Sequence, residues 1–195
     1  ASAYVDRPAT RWTTYIDQFV PVCEKLKADG RIGAWGITGI GIPDCILWAL
    51  GETPRPAAVQ CITNLLDSPG ELQYFPGPSR ARELISATKA TGSGVLGIRP
   101  VQGGALCDML DRDLPDGHGV VVDFAKSECF RTLAAELGTS AAALAHRYAL
   151  TIDDVDTVVL GCKNREELAE CVAAEAAGPL DTEIIARIDA SVPQS

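Results

Sequence analysis

The strongest chemical signal in the chain lies at residues 157–168, where a β-branched apolar run ends at a glycine. Gly161 is followed by Cys162 and the basic Lys163, and Asn164 then precedes an acidic helix start. This pattern predicts a strand that runs into the N-terminus of a helix, where free backbone N–H groups and the helix dipole favour an anion. Gly161, Cys162 and Lys163 are therefore predicted to form a phosphate-binding corner.

Two more polar candidates belong to earlier predicted strands. Thr38 follows the first strand and is succeeded by Gly39. Its hydroxyl and the backbone there can bind a polar ligand or simply form a turn, and the residues leave both open. Gln60 lies on an otherwise apolar strand, where burial of an amide is costly unless it is hydrogen-bonded. Gln60, with Asn64 after it, is the best single polar candidate for ligand binding.

The third predicted strand ends at Arg99 and leads into a glycine-containing loop. Arg99 can pair with a phosphate, or form a salt bridge with one of the 26 acidic residues. Gln102, Gly103 and Gly104 either let the backbone approach a ligand closely or form a flexible hinge.

The residue pattern contains no recognisable catalytic machinery. His118 is predicted to be solvated in a loop, and His146 to be packed or surface-lying on a helix rather than catalytic. The chain has no G-x-S-x-G, H-E-x-x-H or Walker motif. Its seven cysteines show no C-x-x-C spacing, so no metal site is expected. They are predicted to be reduced thiols of a cytoplasmic protein, most of them packed as small apolar residues.

Composition restricts the partners of the chain. The 195 residues predict a single domain, 1–195, with a real core. The net charge of −9 disfavours nucleic acid and anionic membranes. No apolar run approaches the ~20 residues of a membrane span. Residues 1–8 do not resemble a signal peptide, and the missing initiator Met indicates a processed chain or part of a longer one.

Periodicity predicts strands that alternate with helices. Four β-α units favour an α/β fold with a parallel sheet, as a half-barrel or a small open sheet. The loop 100–122 is predicted to be functional or disordered because of its length. The predicted strands are 31–37, 57–62, 94–98 and 156–160, and the predicted helices are 11–28, 43–50, 78–91, 123–137, 141–150, 165–176 and 181–191.

Five segments, in order, make the chain resemble the C-terminal half of an aldo-keto reductase. The segment 26–38 ends in GRIGAWGIT, 58–67 reads AVQCITNLLD and 94–106 reads GVLGIRPVQGGAL. The segment 137–150 reads LGTSAAALAHRYAL, and 158–170 reads VVLGCKNREELAE. They resemble strands 5 to 8 of the family with their loops, the helix before strand 8 and the cofactor helix.

The resemblance implies a (β/α)8 TIM barrel, of which this chain covers about the C-terminal half in four βα units. The family binds NADPH at the C-terminal face and reduces aldehydes and ketones by hydride transfer. Thr38 and Gln60 fall where the family holds the nicotinamide carboxamide. Residues 101–104, which include Val101, Gln102 and Gly103, match the pyrophosphate loop beside Arg99. Lys163 matches a contact to the 2′-phosphate, and Gly161, Cys162 and Glu170 belong to the matched strand and cofactor helix.

Some positions depart from the family pattern. Gly39 replaces an Asn, Ile98 replaces a Tyr that stacks on the nicotinamide, and Glu167 and Cys171 replace residues of the cofactor helix. The family's catalytic Asp, Tyr, Lys and His lie on strands 2 to 4, which no segment matches. The chain is thus expected to be the NADP-binding half of a carbonyl reductase. The alternative is a non-catalytic half-barrel for binding or assembly. In either case a missing N-terminal half or a second copy is expected to cover the open edges.

Overall fold

A four-stranded parallel sheet forms the centre of the molecule. The structure is a computed structural model that describes residues 10–192. Both ends of the predicted domain 1–195, and the segment 1–8, lie outside the described residues. The strand order is β1-β2-β3-β4. The strands are β1 (Gly36–Thr38), β2 (Ala58–Ile62), β3 (Gly94–Ile98) and β4 (Thr157–Val158).

Each strand pairs with the next one in the sequence, and every pair is parallel. Right-handed crossovers then put the connecting helices on the same side of the sheet. A doubly wound open sheet would instead reverse its strand order and need helices on both faces. The order seen here is that of a barrel wall, which confirms the predicted α/β class and favours the barrel over the open sheet.

Alternate residues of the strands face opposite sides of the sheet. Val59 and Val95 are fully buried in the core between sheet and helices, and Cys61 is only 1% exposed there. Gln60 and Leu96 pair with each other on the opposite face and are half-buried.

The helices are α1 (Trp12–Thr14), α2 (Val20–Ala28), α3 (Pro43–Gly51), α4 (Ala81–Ala90), α5 (Gly119–Lys126), α6 (Glu128–Glu136), α7 (Ala141–Thr151), α8 (Arg165–Ala176) and α9 (Thr182–Ala190).

The first and last strands are shorter than predicted. The strand predicted at 31–37 begins only at Gly36, since the N–H groups of Arg31 and Ile32 still donate to the Leu26 carbonyl at the end of α2. At Gly36 a β-carbon would lie 2.5 Å from the Ala58 carbonyl oxygen, so glycine is needed for the close approach of β1 to β2. The strand predicted at 156–160 keeps two residues, although the Val159 N–H still donates to Gly97 O at 2.7 Å.

Two predicted helices are divided. Residues 12–28 are helical, one residue short of the predicted 11–28, but the Tyr15–Phe19 stretch is a π-helix between α1 and α2. It precedes Pro21, which lacks the N–H needed by a regular helix interior. The helix predicted at 123–137 begins earlier, at Gly119, and is interrupted at Ser127 between α5 and α6. The Ser127 hydroxyl donates to the Asp123 carbonyl at 2.8 Å, a side-chain bond that competes with the helix ladder.

The remaining helices agree with the sequence to within three residues at each end, and the long loop is partly ordered. The helix predicted at 78–91 begins at Ala81, because Arg80 takes a left-handed backbone conformation with φ of 54°. The loop 100–122 contains a 3₁₀ turn, Gln102–Gly104, and its last residues belong to α5.

Candidate functional site

The carboxyl ends of the parallel strands meet at one edge of the sheet, where ligands bind in this class of fold. Thr38 lies at the exposed end of β1, and its Oγ1 accepts a hydrogen bond from the Ile40 N–H at 3.3 Å. Thr38 therefore forms a turn, one of the two alternatives open from the sequence. Within residues 10–192 the Gln60 side-chain amide has no hydrogen-bond partner, although it is half-buried. Gln60 is thus available to a ligand on the open face of the sheet.

The loop after β3 is held by side-chain contacts. Arg99 forms an ion pair with Glu71, at 2.9 Å to Oε2, which is the salt-bridge alternative. The Arg99 Nε also donates to Gln102 Oε1 at 2.8 Å. Gln102 is fully buried, and half-buried Val101 packs against the main core, so the segment is not a flexible hinge.

The corner after β4 has the geometry that the sequence predicts. Asn164 is the N-cap of α8, and its Oδ1 accepts from the Glu167 N–H at 2.8 Å. Gly161 and Cys162 are exposed, and Lys163 is 64% exposed. Glu167 turns back and accepts from the Lys163 N–H at 2.8 Å. Asn164 and Glu167 thus satisfy part of the helix N-terminus.

The Lys163 ammonium also has acidic partners. Its Nζ lies 2.5 Å from Asp111 Oδ2 and 3.5 Å from Glu167 Oε1. The hydrogen bond to Asp111 raises the pKa of Lys163, and the same bond lowers the pKa of Asp111. A phosphate at this corner would have to displace one of these carboxylates.

Arg112 and Asp111 connect the two loops. The Arg112 guanidinium donates to Gly103 O at 3.0 Å, and also bonds Asp111 at 2.8 Å. Because Asp111 bonds Lys163 as well, a continuous contact joins the β3 loop to the β4 corner. The sequence interpretation missed both residues. The only signal was their place in the loop 100–122, which was predicted to be functional or disordered.

Arg99, Arg112 and Lys163 form what we call the cation cluster. A β-carbon placed on Gly103 would lie 3.2 Å from an Arg99 nitrogen and 3.8 Å from an Arg112 nitrogen. Three cations therefore gather at this edge in a chain whose net charge is −9. Their side chains remain partly exposed, at 16%, 47% and 64%. The donor set fits a ligand with several phosphates that competes with the internal carboxylates.

Glu170 and Cys171 lie further along α8. The Glu170 carboxylate accepts a hydrogen bond from the Ser140 hydroxyl at 2.6 Å, which ties α8 to the start of α7. Cys171 is buried, with its Sγ 3.8 Å from both ring nitrogens of His146. Burial, followed by a hydrogen bond with Cys162, raises the pKa of Cys171 to about 11. Burial likewise lowers the pKa of His146, which is packed as predicted.

The other predicted residues have structural surroundings. His118 is half-buried at the end of the loop, and its Nδ1 accepts from the Val120 N–H at 3.2 Å and caps α5. Cys23 and Cys61 are buried as expected, but Cys129 is exposed on α6. In the described part of the chain, no group of three His, Cys, Asp or Glu side chains could hold a metal ion. None of the helices between residues 10 and 192 is long and apolar enough to cross a membrane.

Comparisons with known proteins agree with this fold. The model of the aldo/keto reductase family matches residues 3–193. L-galactose dehydrogenase of Arabidopsis thaliana is 24% identical over 180 residues, which cover 90% of this chain and 53% of that protein.

Solved structures are similar as well. The apo form of aldo-keto reductase AKR11C1 from Bacillus halodurans gives a TM-score of 0.69 at 24% identity, over 98% of this chain and 59% of that one. Glycerol dehydrogenase AKR11B4 from Gluconobacter oxydans gives 0.60 at 19% identity, over 86% of this chain and 51% of that one. The chain spans about half the length of these relatives. The family match runs over nearly the whole sequence, and the chain belongs to the aldo/keto reductase family.

Proposed function

We propose that this chain is the cofactor-binding half of an NAD(P)H-dependent carbonyl reductase, with residues 1–195 as one domain and four βα units of the barrel. The oxidoreductase class comes from the family. The observation that carries the proposal is the cation cluster, which gathers three positive side chains at the carboxyl edge of a parallel sheet in an acidic protein.

The sheet edge favours one orientation of a bound nicotinamide dinucleotide. We propose that the β3 loop, with Arg99, Val101, Gln102 and Gly103, binds the pyrophosphate through its backbone N–H groups and the guanidinium. The unpartnered Gln60 amide, with Thr38, would bind the nicotinamide carboxamide on the open sheet face. The β4 corner (Gly161, Cys162, Lys163) and Glu170 of α8 would then hold the adenosine end. The bound cofactor supplies the hydride for a carbonyl group.

NADP is the proposed form of the cofactor. Lys163 and Arg112 both contact Asp111, so one phosphate that displaces this carboxylate would meet two cations. The adenosine 2′-phosphate, which NAD lacks, has the charge to make that exchange.

We further propose that the proton-donating residues come from a second half-barrel. Within residues 10–192, β1 and β4 each have a strand neighbour on one side only. Unpaired strand edges are association-prone and need a cover. The cover that supplies these residues would be the N-terminal half of a longer barrel, whereas another copy of this chain would cover the edges without supplying them. The assembled enzyme would bind a small carbonyl substrate and neither nucleic acid nor a membrane. The reduced thiols of this chain favour a cytoplasmic location.

A non-catalytic half-barrel is the second candidate. It is favoured by one observation: each member of the cation cluster already contacts a carboxylate, namely Glu71 or Asp111. A site neutralised in this way can serve packing alone.

Titration of the purified chain with NADPH, followed by the fluorescence of the reduced nicotinamide, separates the two candidates. Saturable binding that salt weakens supports the proposal. Reduction of aldehydes by the chain alone would contradict the proposed division of labour between two half-barrels. Absence of NADPH binding would favour the non-catalytic module.

A further inference from the structure

The β3 loop has a strained backbone. Arg99 and Gln102 have φ of 58° and 48°, and Gly103 and Gly104 follow at 62° and 104°. Two side-chain-bearing residues in the left-handed region within four positions are uncommon, and such a conformation persists only when surrounding contacts hold it. The loop's own ladder uses the N–H groups of Gln102, Gly104 and Ala105. Those of Val101 and Gly103 stay outside this ladder.

The Gln102 side chain is the contact that holds this backbone. It is fully buried, and both ends of its amide are used. Oε1 accepts from Arg99 Nε at 2.8 Å, while Nε2 donates to Asp123 Oδ2 at 2.5 Å and to Ser68 Oγ at 3.3 Å. The buried amide therefore connects the cation Arg99 with a carboxylate of α5.

Asp123 is the end of this connection. It is only 4% exposed, in the middle of α5, and its carboxylate also accepts from the Ser68 hydroxyl at 2.5 Å. Lys126, at 3.6 Å, is its one cation within ion-pair distance among residues 10–192. A carboxylate is costly to bury unless it is hydrogen-bonded. Here its hydrogen bonds hold the loop that contains Ser68 and the β3 loop that contains Gln102. Gly70 makes room, because a β-carbon there would lie 2.2 Å from Gln102 Nε2.

We propose that Asp123 is a positioning residue: through Gln102 it holds the β3 loop in the conformation that binds the pyrophosphate. This inference rests on the proposed function, since it concerns the same site. Asp123, at 4% exposed, would act without touching the ligand. Its effect is to fix the loop before binding, so that no free energy of binding is spent on ordering it.

The test compares two ligands on the same variants by calorimetry. NADP⁺ carries the pyrophosphate, and adenosine 2′,5′-bisphosphate carries the adenosine end without it. Asp123→Leu removes Oδ2, the single oxygen that accepts from both the Gln102 amide and the Ser68 hydroxyl, and keeps the side-chain volume similar. We expect this variant to lower the affinity for NADP⁺ by about tenfold and the affinity for the bisphosphate by less than about threefold. A merely structural role would weaken both ligands equally.

Two further variants keep the inference falsifiable. Asp156→Asn removes a carboxylate that also bonds the backbone of β3, at the opposite end of the strand, and we expect it to change neither affinity. Combining Asp123→Asn with Gln102→Glu exchanges donor and acceptor between the two positions. The introduced amide can donate to the introduced carboxylate, which still accepts from Arg99, so NADP⁺ affinity should return to within about threefold of the original.

The outcomes are distinct. A selective loss with recovery in the exchanged pair supports the role of Asp123. Equal losses for both ligands, no loss, or no recovery would overturn it while the original chain still binds NADP⁺. If the original chain binds neither ligand, the proposed function fails and the role of Asp123 fails with it.

Discussion

Lys163 shows how the local electrostatics of the site decide what it can bind. Its ammonium contacts Asp111 and Glu167, and the Asp111 hydrogen bond raises its pKa. Lys163 therefore carries its charge throughout the physiological pH range. The two acids lower its attraction for a distant anion, so selectivity must come from direct contact with a phosphate.

We predict that Lys163→Glu weakens NADPH far more than NADH. NADH lacks the 2′-phosphate, so only NADPH loses a charge-assisted contact and gains a repulsion. The expected loss is about tenfold or more for NADPH, measured by fluorescence titration at about 0.15 M salt, where distant charges are screened.

The control is Lys27→Glu, the same charge reversal at an exposed lysine near the end of α2. It should leave both affinities within about twofold, because Lys27 belongs to α2 rather than to the β4 corner and salt weakens the long-range effect of an exposed charge. Equal weakening of NADPH and NADH by Lys163→Glu would exclude a contact to the 2′-phosphate.

Residue types alone could identify only part of this site. Lys163 and Asn164 are predictable because strand, glycine, cation and cap lie within a few residues of each other. Arg112, Asp111 and Asp123 are not, because the fold brings them to the edge from distant positions. No local pattern marks a residue that acts through contacts made across the chain.

At the scale of elements, α7 begins at a cap that also contacts α8. Ser140 is the N-cap of α7. The Ser140 Oγ accepts from the Ala143 N–H at 3.0 Å and donates to Glu170 at 2.6 Å. One hydroxyl thus stabilises two helices.

We predict that Ser140→Ala lowers the free energy of unfolding by about 1 kcal/mol, the usual value of an N-cap, since the Ala143 N–H loses its acceptor. Urea unfolding followed by circular dichroism measures the change. Thr139→Ala is the matched control and should stay within about 0.5 kcal/mol. A larger loss at position 139 than at 140 would show that the cap is misplaced.

Asp156 stabilises the start of β3 in a pH-dependent way. It pairs with Lys89, and its Oδ2 accepts from the Val95 N–H at 2.8 Å. The hydrogen bond from Lys89, then that from Val95, holds the pKa of Asp156 below its ordinary value. A carboxyl with a lowered pKa stabilises the fold above its unfolded pKa, and this contribution is lost as the pH falls through the folded pKa.

We predict that Asp156→Asn destabilises the chain at neutral pH and that the difference from the original chain shrinks in acid. Urea midpoints of both proteins over a pH series from 7 into the acid range test this, because the contribution of the carboxylate is lost as the pH falls through its folded pKa. A constant difference across this range would mean that the charge of Asp156 contributes nothing.

The sequence predicts the middle elements well and the outer ones less well. β2 and β3 are flanked by strands on both sides, so their apolar runs mark them clearly. β1 and β4 are edge strands in the described chain, and their apolar residues extend beyond the paired stretch. The division of 123–137 at Ser127 depends on a side-chain bond to the backbone that periodicity does not contain.

At the scale of the whole molecule, the β4 side carries an apolar surface. Val159 and Leu160, just after β4, are 44% and 39% exposed, and Leu168 and Val172 on α8 are 49% and 58% exposed. Leu168 and Val172 are four residues apart and therefore lie on one face of the helix. With the unpaired edge of β4 beside it, this surface suits a second half-barrel.

We predict that the purified chain self-associates and that Leu168→Lys with Val172→Lys reduces the association, because two charges there oppose apolar contact. Sedimentation velocity over a wide concentration range measures it. Val22→Lys with Val122→Lys is the control, since these residues are 57% and 41% exposed on other helices and change the net charge equally. Association that both pairs reduce alike would reflect net charge rather than this surface. If the chain stays monomeric at every concentration, a second copy does not cover the edges of β1 and β4. Another half-barrel sequence would then be needed to complete the barrel wall.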